Sequence, residues 1–323
     1  MADVVLNNIY KSYNNGSVQA VKDVSFEVEK GELFGLIGPD GAGKTSIFRI
    51  LTTLLLPDSG SAFVNGMNVQ QDIKTIRSVV GYMPGKFSLY QDLSVEENLH
   101  FFATLFNTTV EENYDLIRDI YVQLEPFKHR KAGKLSGGMK QKLALCCALI
   151  HRPTVLFLDE PTTGVDVVSR REFWEMLKRL KHQGITILVS TAYMDEATMC
   201  ERIALIQNGE IMSIETPDKI INSYSDKLFT IRSENMSKLL NDLRGMDEIK
   251  SCNAFGEFHH ITFHKSAEGE WNGKSAEQQQ VERLVQFLQQ LKHERIEIKE
   301  VEPTIEDCFI ALMGDRNNTK TTQ

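Results

Sequence analysis

Gly38-Pro39-Asp40-Gly41-Ala42-Gly43-Lys44-Thr45 is the stretch that decides the fold. It fills every fixed position of the G-x-x-x-x-G-K-[ST] pattern. Its neighbours suit that pattern: an apolar run, Leu33 to Ile37, leads in as a buried strand, and Ile47, Ile50, Leu51 and Leu54 lead out at helical spacing. Glycines let backbone amides close round an anion without interference from a Cβ, in a loop that ends at the positive N-terminus of a helix. Lys44 suits the β- and γ-phosphates of a nucleotide, and the Thr45 hydroxyl suits Mg²⁺. A glycine-rich turn that matched by accident would lack the flanking strand and helix. The stretch therefore predicts nucleotide binding.

The totals narrow the setting. A chain of 323 residues makes one large or two medium domains. Its net charge of −8 argues against general nucleic-acid binding, which leaves a basic footprint. No apolar run approaches the roughly 18 residues of a membrane helix, and the first residues, with Asp3, do not resemble a signal peptide. Five cysteines without metal-ligand spacing read as packed free thiols, so a cytoplasmic chain is expected.

Residues 4–9, 18–21 and 24–29 read as three strands around the turn Asn14-Asn15-Gly16, with Tyr13 in that turn as an aromatic able to stack on a base. A strand at 61–64 leads into Asn65-Gly66, a hairpin signal, and 79–83 reads as another strand. From 96 to 150 the pattern is helical. Within it Ser136 is an N-cap, and Gly137 and Gly138 expose amides at a helix start, a second anion site. The apolar run 155–158 ends in Asp159, suited to Mg²⁺, and Glu160, suited to orient or deprotonate a water aimed at a γ-phosphate. A helix with Phe173, Trp174, Leu177 and Leu180 on one side precedes the apolar strand 185–189, which ends at Ser190-Thr191.

Beyond about residue 224 the pattern changes. Strands at 228–232, 260–264 and 296–298 and helices at 236–243 and 276–292 make a small α+β domain over 225–315, with a helix at 305–313 and a polar tail at 316–323. His260 and His264 alternate onto one face with Thr262, which reads as wet surface rather than a metal site.

In this order the motifs resemble the ATP-binding subunit of an ABC transporter over about residues 3–220. The stretch 301–309 resembles the C-terminal end of daunorubicin-type and ABC-2 exporter subunits. The resemblance implies an α/β P-loop NTPase fold over 1–224 with an antiparallel β subdomain and a helical insertion at about 85–150. It makes 38–45 the Walker A loop, with Ser46 and Tyr13 also at the nucleotide, and Thr45 and Asp159 the Mg²⁺ residues. Glu160 becomes the catalytic carboxylate. Ser136, Gly137, Gly138 and Met139 become the signature that meets a partner's ATP, and Asp166 the D-loop acid. It also implies a head-to-tail dimer, membrane-spanning permease partners, and a place on the cytoplasmic face of the membrane.

Two family positions differ. Gly85 stands where the family has Gln, and Ala192 where it has His. Neither offers a side-chain hydrogen bond. The expectation is a chain that binds Mg-ATP, hydrolyses it slowly or not at all at its own site, and completes a competent site on a different cassette. That favours a heterodimer over a homodimer. A soluble nucleotide-sensing scaffold is the alternative, while a single cassette and an acidic balance argue against a protein acting on ribosomes or DNA.

Overall fold

The structure, a computed structural model, describes residues 2–264 and 276–320. The chain divides into two compact units, one running to Ile220 and taking in the chain from Leu312, the other Ile221–Ala311.

In the first unit β1 (Ala2–Tyr13) and β2 (Val18–Glu29) form a long antiparallel hairpin, with Asn14 and Asn15 turning at positive φ. The strands expected at 18–21 and 24–29 are one strand. Asp23, at φ 52, lies in a bulge between the Lys11–Val21 and Ile9–Val24 pairs and carries the ladder across the break. Next come β3 (Leu33–Ile37) and α1 (Lys44–Leu51). The helix stops short of Leu54 because the Thr52 hydroxyl bonds back to the Phe48 carbonyl at 2.8 Å and Thr53 turns left-handed at φ 61. Leu54 is left 56% exposed.

β4 (Ser59–Val64) lies beside β1, and Asn65-Gly66, both at positive φ, turns it into β5 (Met67–Asn68). This antiparallel sheet has the order β2-β1-β4-β5. α2 (Ile73–Val79), too short to announce itself by periodicity, leads into β6 (Val80–Met83). The helical insertion holds α3 (Val95–Leu105), α4 (Tyr114–Tyr121) and α5 (Gly137–Leu149). α3 begins at a capping box: Ser94 Oγ accepts from the Glu97 amide while the Glu97 carboxylate accepts from the Ser94 amide.

Then follow β7 (Val155–Asp159), α6 (Val167–His182), β8 (Thr186–Thr191), β9 (Arg202–Gln207), β10 (Glu210–Glu215) and α7 (Pro217–Asn222). The second sheet runs β10-β9-β3-β8-β7-β6, parallel except for its antiparallel edge strand β10. β3, β7 and β8 are buried at every residue, as parallel strands covered on both faces must be. α6 buries Phe173, Trp174, Leu177 and Leu180, as its periodicity predicts. Phe48 of α1 meets Phe157 of β7 edge-to-face at 6.1 Å, so the helix behind the loop is locked to the sheet that carries the carboxylates.

The second unit runs β11 (Leu228–Arg232), α8 (Met236–Arg244), β12 (Ile249–Phe255), β13 (Phe258–Phe263), α9 (Ala276–Gln290) and β14 (Glu297–Val301). The order β12-β13-β11-β14, antiparallel throughout, is a ferredoxin-like split β-α-β arrangement. Leu239 and Leu243 of α8 and Leu284 and Leu288 of α9 pack with Phe229, Ile231 and Ile261 of the sheet.

Two expectations need correcting. α10 (Ile305–Lys320) continues through 316–320, part of the stretch expected as a tail, across Gly314 and Asn317-Asn318; residues 321–323 lie outside the described residues. Nor is the His260 face wet. His260 Nδ1 meets Asp307 Oδ1 at 2.8 Å, Phe255 stacks on the imidazole at 4.0 Å, and Thr262 is buried against Ser251. Only His264 is exposed. All five cysteines are buried and none forms a disulfide.

Candidate functional site

Three neighbouring parallel strands deliver the site at their carboxyl ends: β3 ends in the glycine loop, β7 in Asp159 and β8 in Thr191. Gly41 (φ 78) and Gly43 (φ 105) hold the loop in left-handed conformations. A Cβ on Gly43 would stand 2.3 Å from the Ala20 carbonyl oxygen, so Gly43 is required for space as well as for φ. Gly43→Ala should therefore cost about 1–3 kcal/mol in strain and abolish nucleotide binding. Thermal unfolding together with a nucleotide titration measures both effects.

The Lys44 ammonium is buried and donates to the carbonyls of Gly38 (2.7 Å) and Pro39 (3.0 Å), with Glu160 Oε1 at 3.1 Å. Thr45, next in α1, hydrogen-bonds the Asp159 carboxylate. Ser190 Oγ donates to Asp159 Oδ1 at 2.6 Å. Burial pushes the Asp159 carboxyl above the ordinary aspartate value, and the bonds from Ser190 and Thr45 pull it back. A buried carboxylate beside a hydroxyl is a hard-oxygen donor pair that fits Mg²⁺. Tyr82, half-buried and near the Asp159 charge, has its phenol pushed up to about 12 by desolvation first and that charge second.

Glu160 sits at φ 51, uncommon for a residue with a side chain. Its amide donates to both the carbonyl and the hydroxyl of Ser190, each at 3.0 Å, and these bonds hold the conformation. Gly85 lies against the same acids: a Cβ there would stand 3.1 Å from the Asp159 carbonyl oxygen and 3.7 Å from Glu160 Cβ. Ala192 follows Thr191, whose carbonyl accepts from the Gly38 amide at 3.2 Å. Both positions thus adjoin the site and bring no hydrogen-bonding side chain to it.

Tyr13 is the last residue of β1 rather than a turn residue, and its hydroxyl meets Ser46 Oγ at 3.0 Å, joining two of the expected site residues. Asp40 and Gly41 are the exposed part of the loop, Pro39 is half-buried, and Gly38 and Ala42 are buried. At the helix start expected as a second anion site, Ser136 caps α5, its hydroxyl accepting from the Met139 amide at 3.4 Å. Gly137 and Gly138 pack against the 164–169 segment: a Cβ on Gly138 would stand 3.0 Å from Ser169 Oγ, and one on Gly137 3.3 Å from the Gly164 carbonyl oxygen. Asp166 caps α6 by accepting from the Ser169 amide at 3.0 Å, and that bond lowers its carboxyl below the usual range.

Sequence reading passed over Ser190 as a mere strand end and did not single out Thr191 or Glu196. The available signal was Ser190 and Thr191 closing a largely apolar strand, where the carboxyl end of a parallel sheet faces a ligand; Glu196, five residues on, gave none.

The ABC transporter family model matches residues 21–163. The chain is 36% identical to the "probable multidrug ABC transporter ATP-binding protein YbhF" of Escherichia coli; the match takes in 99% of this chain but 54% of that one, so the chain spans about half of that relative. It is 30% identical to the "doxorubicin resistance ATP-binding protein DrrA" of Mycobacterium tuberculosis, over 98% of this chain and 96% of that one. Over 69% of its length it is 37% identical to the "Nod factor export ATP-binding protein I" of Burkholderia lata, covering 74% of that protein. Among solved structures it is similar to an ATP-binding cassette described as a dimer in a post-hydrolysis state bound to ADP and Pi, with a TM-score of 0.60 and 26% identity, over 66% of this chain and 98% of that one.

Proposed function

We propose, from the premise that this chain belongs to the ABC transporter family of ATP-binding proteins, that it is the energy-coupling, Mg-ATP-binding subunit of an exporter. The observation that carries this is the assembly of the glycine loop, Thr45, Asp159 and Glu160 at the ends of β3 and β7. The loop amides and Lys44 would hold the phosphates. Thr45 and Asp159 would hold Mg²⁺, which screens charge on the β- and γ-oxygens. Tyr13 would stack on the base, and Glu160 would orient or deprotonate the attacking water.

The relatives named for multidrug transport, doxorubicin resistance and Nod factor export support export as the direction. The partners are membrane-spanning permease subunits, and the chain sits on the cytoplasmic face of the membrane. Among the described residues no helix is long and apolar enough to cross a membrane, so on this reading the permeases form the passage.

The chain's own site is impaired, because Gly85 and Ala192 provide neither of the hydrogen bonds the family uses there. The Ser136–Met139 signature has its cap and its close-packed glycines, and it completes a competent site on a second, different cassette. Val167 and Val168, 71% and 69% exposed beside Asp166, suit a covered interface. A nucleotide-sensing protein that never hydrolyses is the second reading, favoured by the same two positions.

The test mixes this chain with a co-encoded cassette and measures ATP turnover. Ser136→Arg in this chain should abolish the stimulation, while Glu160→Gln in this chain should remove far less of it. Equal losses from the two variants would overturn the asymmetric assignment. A mixture with no stimulation would favour the sensor.

A further inference from the structure

We propose that Arg170 and Glu196 are a positioning pair that couples the chain's own phosphate loop to its own signature helix. The proposal rests on the nucleotide-binding reading above and gives the impaired site a role that needs no turnover.

The route is a chain of contacts with one gap. The Gly38 amide donates to the Thr191 carbonyl at 3.2 Å, so the first residue of the loop is tied to the end of β8. Thr191 Oγ1 donates to Glu196 Oε2 at 2.6 Å and accepts from the Tyr193 amide at 3.0 Å, which folds the chain tightly around Ala192. Glu196, only 4% exposed, turns its other oxygen toward α6. Arg170 sits in the first turn of that helix, its amide bonded to the Asp166 carbonyl at 2.9 Å and its guanidinium 4.6 Å from the centre of the Tyr193 ring. Its neighbour Ser169 is the residue against which Gly138 packs. A second tie, Lys142 to Glu172 at 2.8 Å, joins α5 to α6 one turn further along.

The middle of this route is left open. Glu196 Oε1 and Arg170 Nη1 are both buried without a hydrogen-bond partner, and they face each other at 3.8 Å. Asp195, mostly exposed, is the other carboxylate near the guanidinium, at 3.9 Å. Charge-assisted hydrogen bonds of this kind close at about 2.7–2.9 Å, so the gap is about 1 Å too long. Two buried, unmet polar atoms make the open arrangement costly, and closure would satisfy both at once. A small movement of α6 toward the 194–199 turn would close the gap and give the pair a second arrangement, as coupling between sites requires.

A ligand that reseats the loop acts on Gly38 and Thr191 at one end. Closure of the Arg170–Glu196 gap then carries α6 and its Ser169 toward the 194–199 turn, shifting the surface under Gly137 and Gly138. Nucleotide at the impaired site would thereby set the geometry of the anion site that this chain offers to its partner.

Hydrogen exchange of the full chain, with and without Mg-ATP and at a concentration where sedimentation shows a monomer, tests this directly. In the wild type, exchange in 137–142 should slow by at least about fivefold, the lower end of ordinary coupling. Glu196→Gln and Arg170→Lys should each erase that change while titration with Mg-ATP gives the wild-type affinity. The double variant should lose no more than either single one. A purely structural role for the pair would instead lower stability or affinity without separating binding from the remote response. Should Glu196→Gln fail to fold, Arg170→Lys, which keeps the charge but not the planar fork, carries the test. Persistence of the response in the variants, or Mg-ATP binding by the wild type with no change in 137–142, overturns the coupling. Absence of Mg-ATP binding in the titration instead sinks the nucleotide reading, and the coupling with it.

Discussion

Gly85→Gln combined with Ala192→His should raise the chain's own ATP turnover by about 10²–10³-fold, the scale of one preorganised transition-state donor. The two gains need not multiply, because groups that act on one water act as a unit. Space permits the first change. Gly85 is not held at positive φ, and a Cβ there would stand 3.1 Å from the Asp159 carbonyl oxygen, so that neighbour must yield only a few tenths of an ångström. Its Cβ would stand 3.7 Å from Glu160 Cβ, so a glutamine side chain would start beside the residue that carries the carboxylate. At the other position Thr191 fixes the backbone on both sides, through the Gly38 amide and the Tyr193 amide, so an imidazole on residue 192 would emerge beside the loop. Steady-state phosphate release measures the gain, and Glu160→Gln in the doubly substituted chain should cancel it. An unsubstituted chain that already turns over ATP at ordinary rates, with Glu160→Gln abolishing that activity, would disprove the impaired-site assignment.

Lys44→Ala should erase the stabilisation that Mg-ATP gives. At a ligand concentration 100 times the dissociation constant, binding stabilises the folded state by about 2.7 kcal/mol. For a unit of roughly 220 residues this corresponds to a rise in Tm of roughly 5–10 °C. Lys44 is buried among the Gly38 and Pro39 carbonyls and Glu160, so its ammonium is already placed at the mouth of the loop and Ala leaves nothing to replace it. Differential scanning with and without Mg-ATP measures the shift. A Lys44→Ala chain that kept the full rise would show that the nucleotide binds elsewhere.

Much of the site was legible because its parts are contiguous in sequence. Residues 38–45 need glycines at 41 and 43 for left-handed backbone and close approach, and few sequences meet that need by accident. Asp159 follows a strand so apolar that its burial was plain. Other features were not legible, for specific reasons. Asp23 joins two apparent strands because a bulge costs one residue of register and leaves no mark in the apolar pattern. Thr53 ends α1 with its backbone while Leu54 still falls on the helical period. His260 looked like surface because Asp307, which covers it, lies 47 residues further on.

Local spacing in the sequence encodes the glycine loop, the acid pair at a strand end and the Ser136-capped helix, and the family resemblance adds that positions 85 and 192 lack the expected side chains. Tertiary structure alone decided which strand ends meet. Ser190 reaches Asp159 across 31 positions, and Gly85 reaches the acid pair across more than 70, because β8 pairs with β7 and β6 lies on its other side. Parallel strands need long crossovers, so neighbours in such a sheet are remote in the chain. The open Arg170–Glu196 gap belongs to the same class: its width is set by how α6 packs on the sheet, and no spacing along the chain records it.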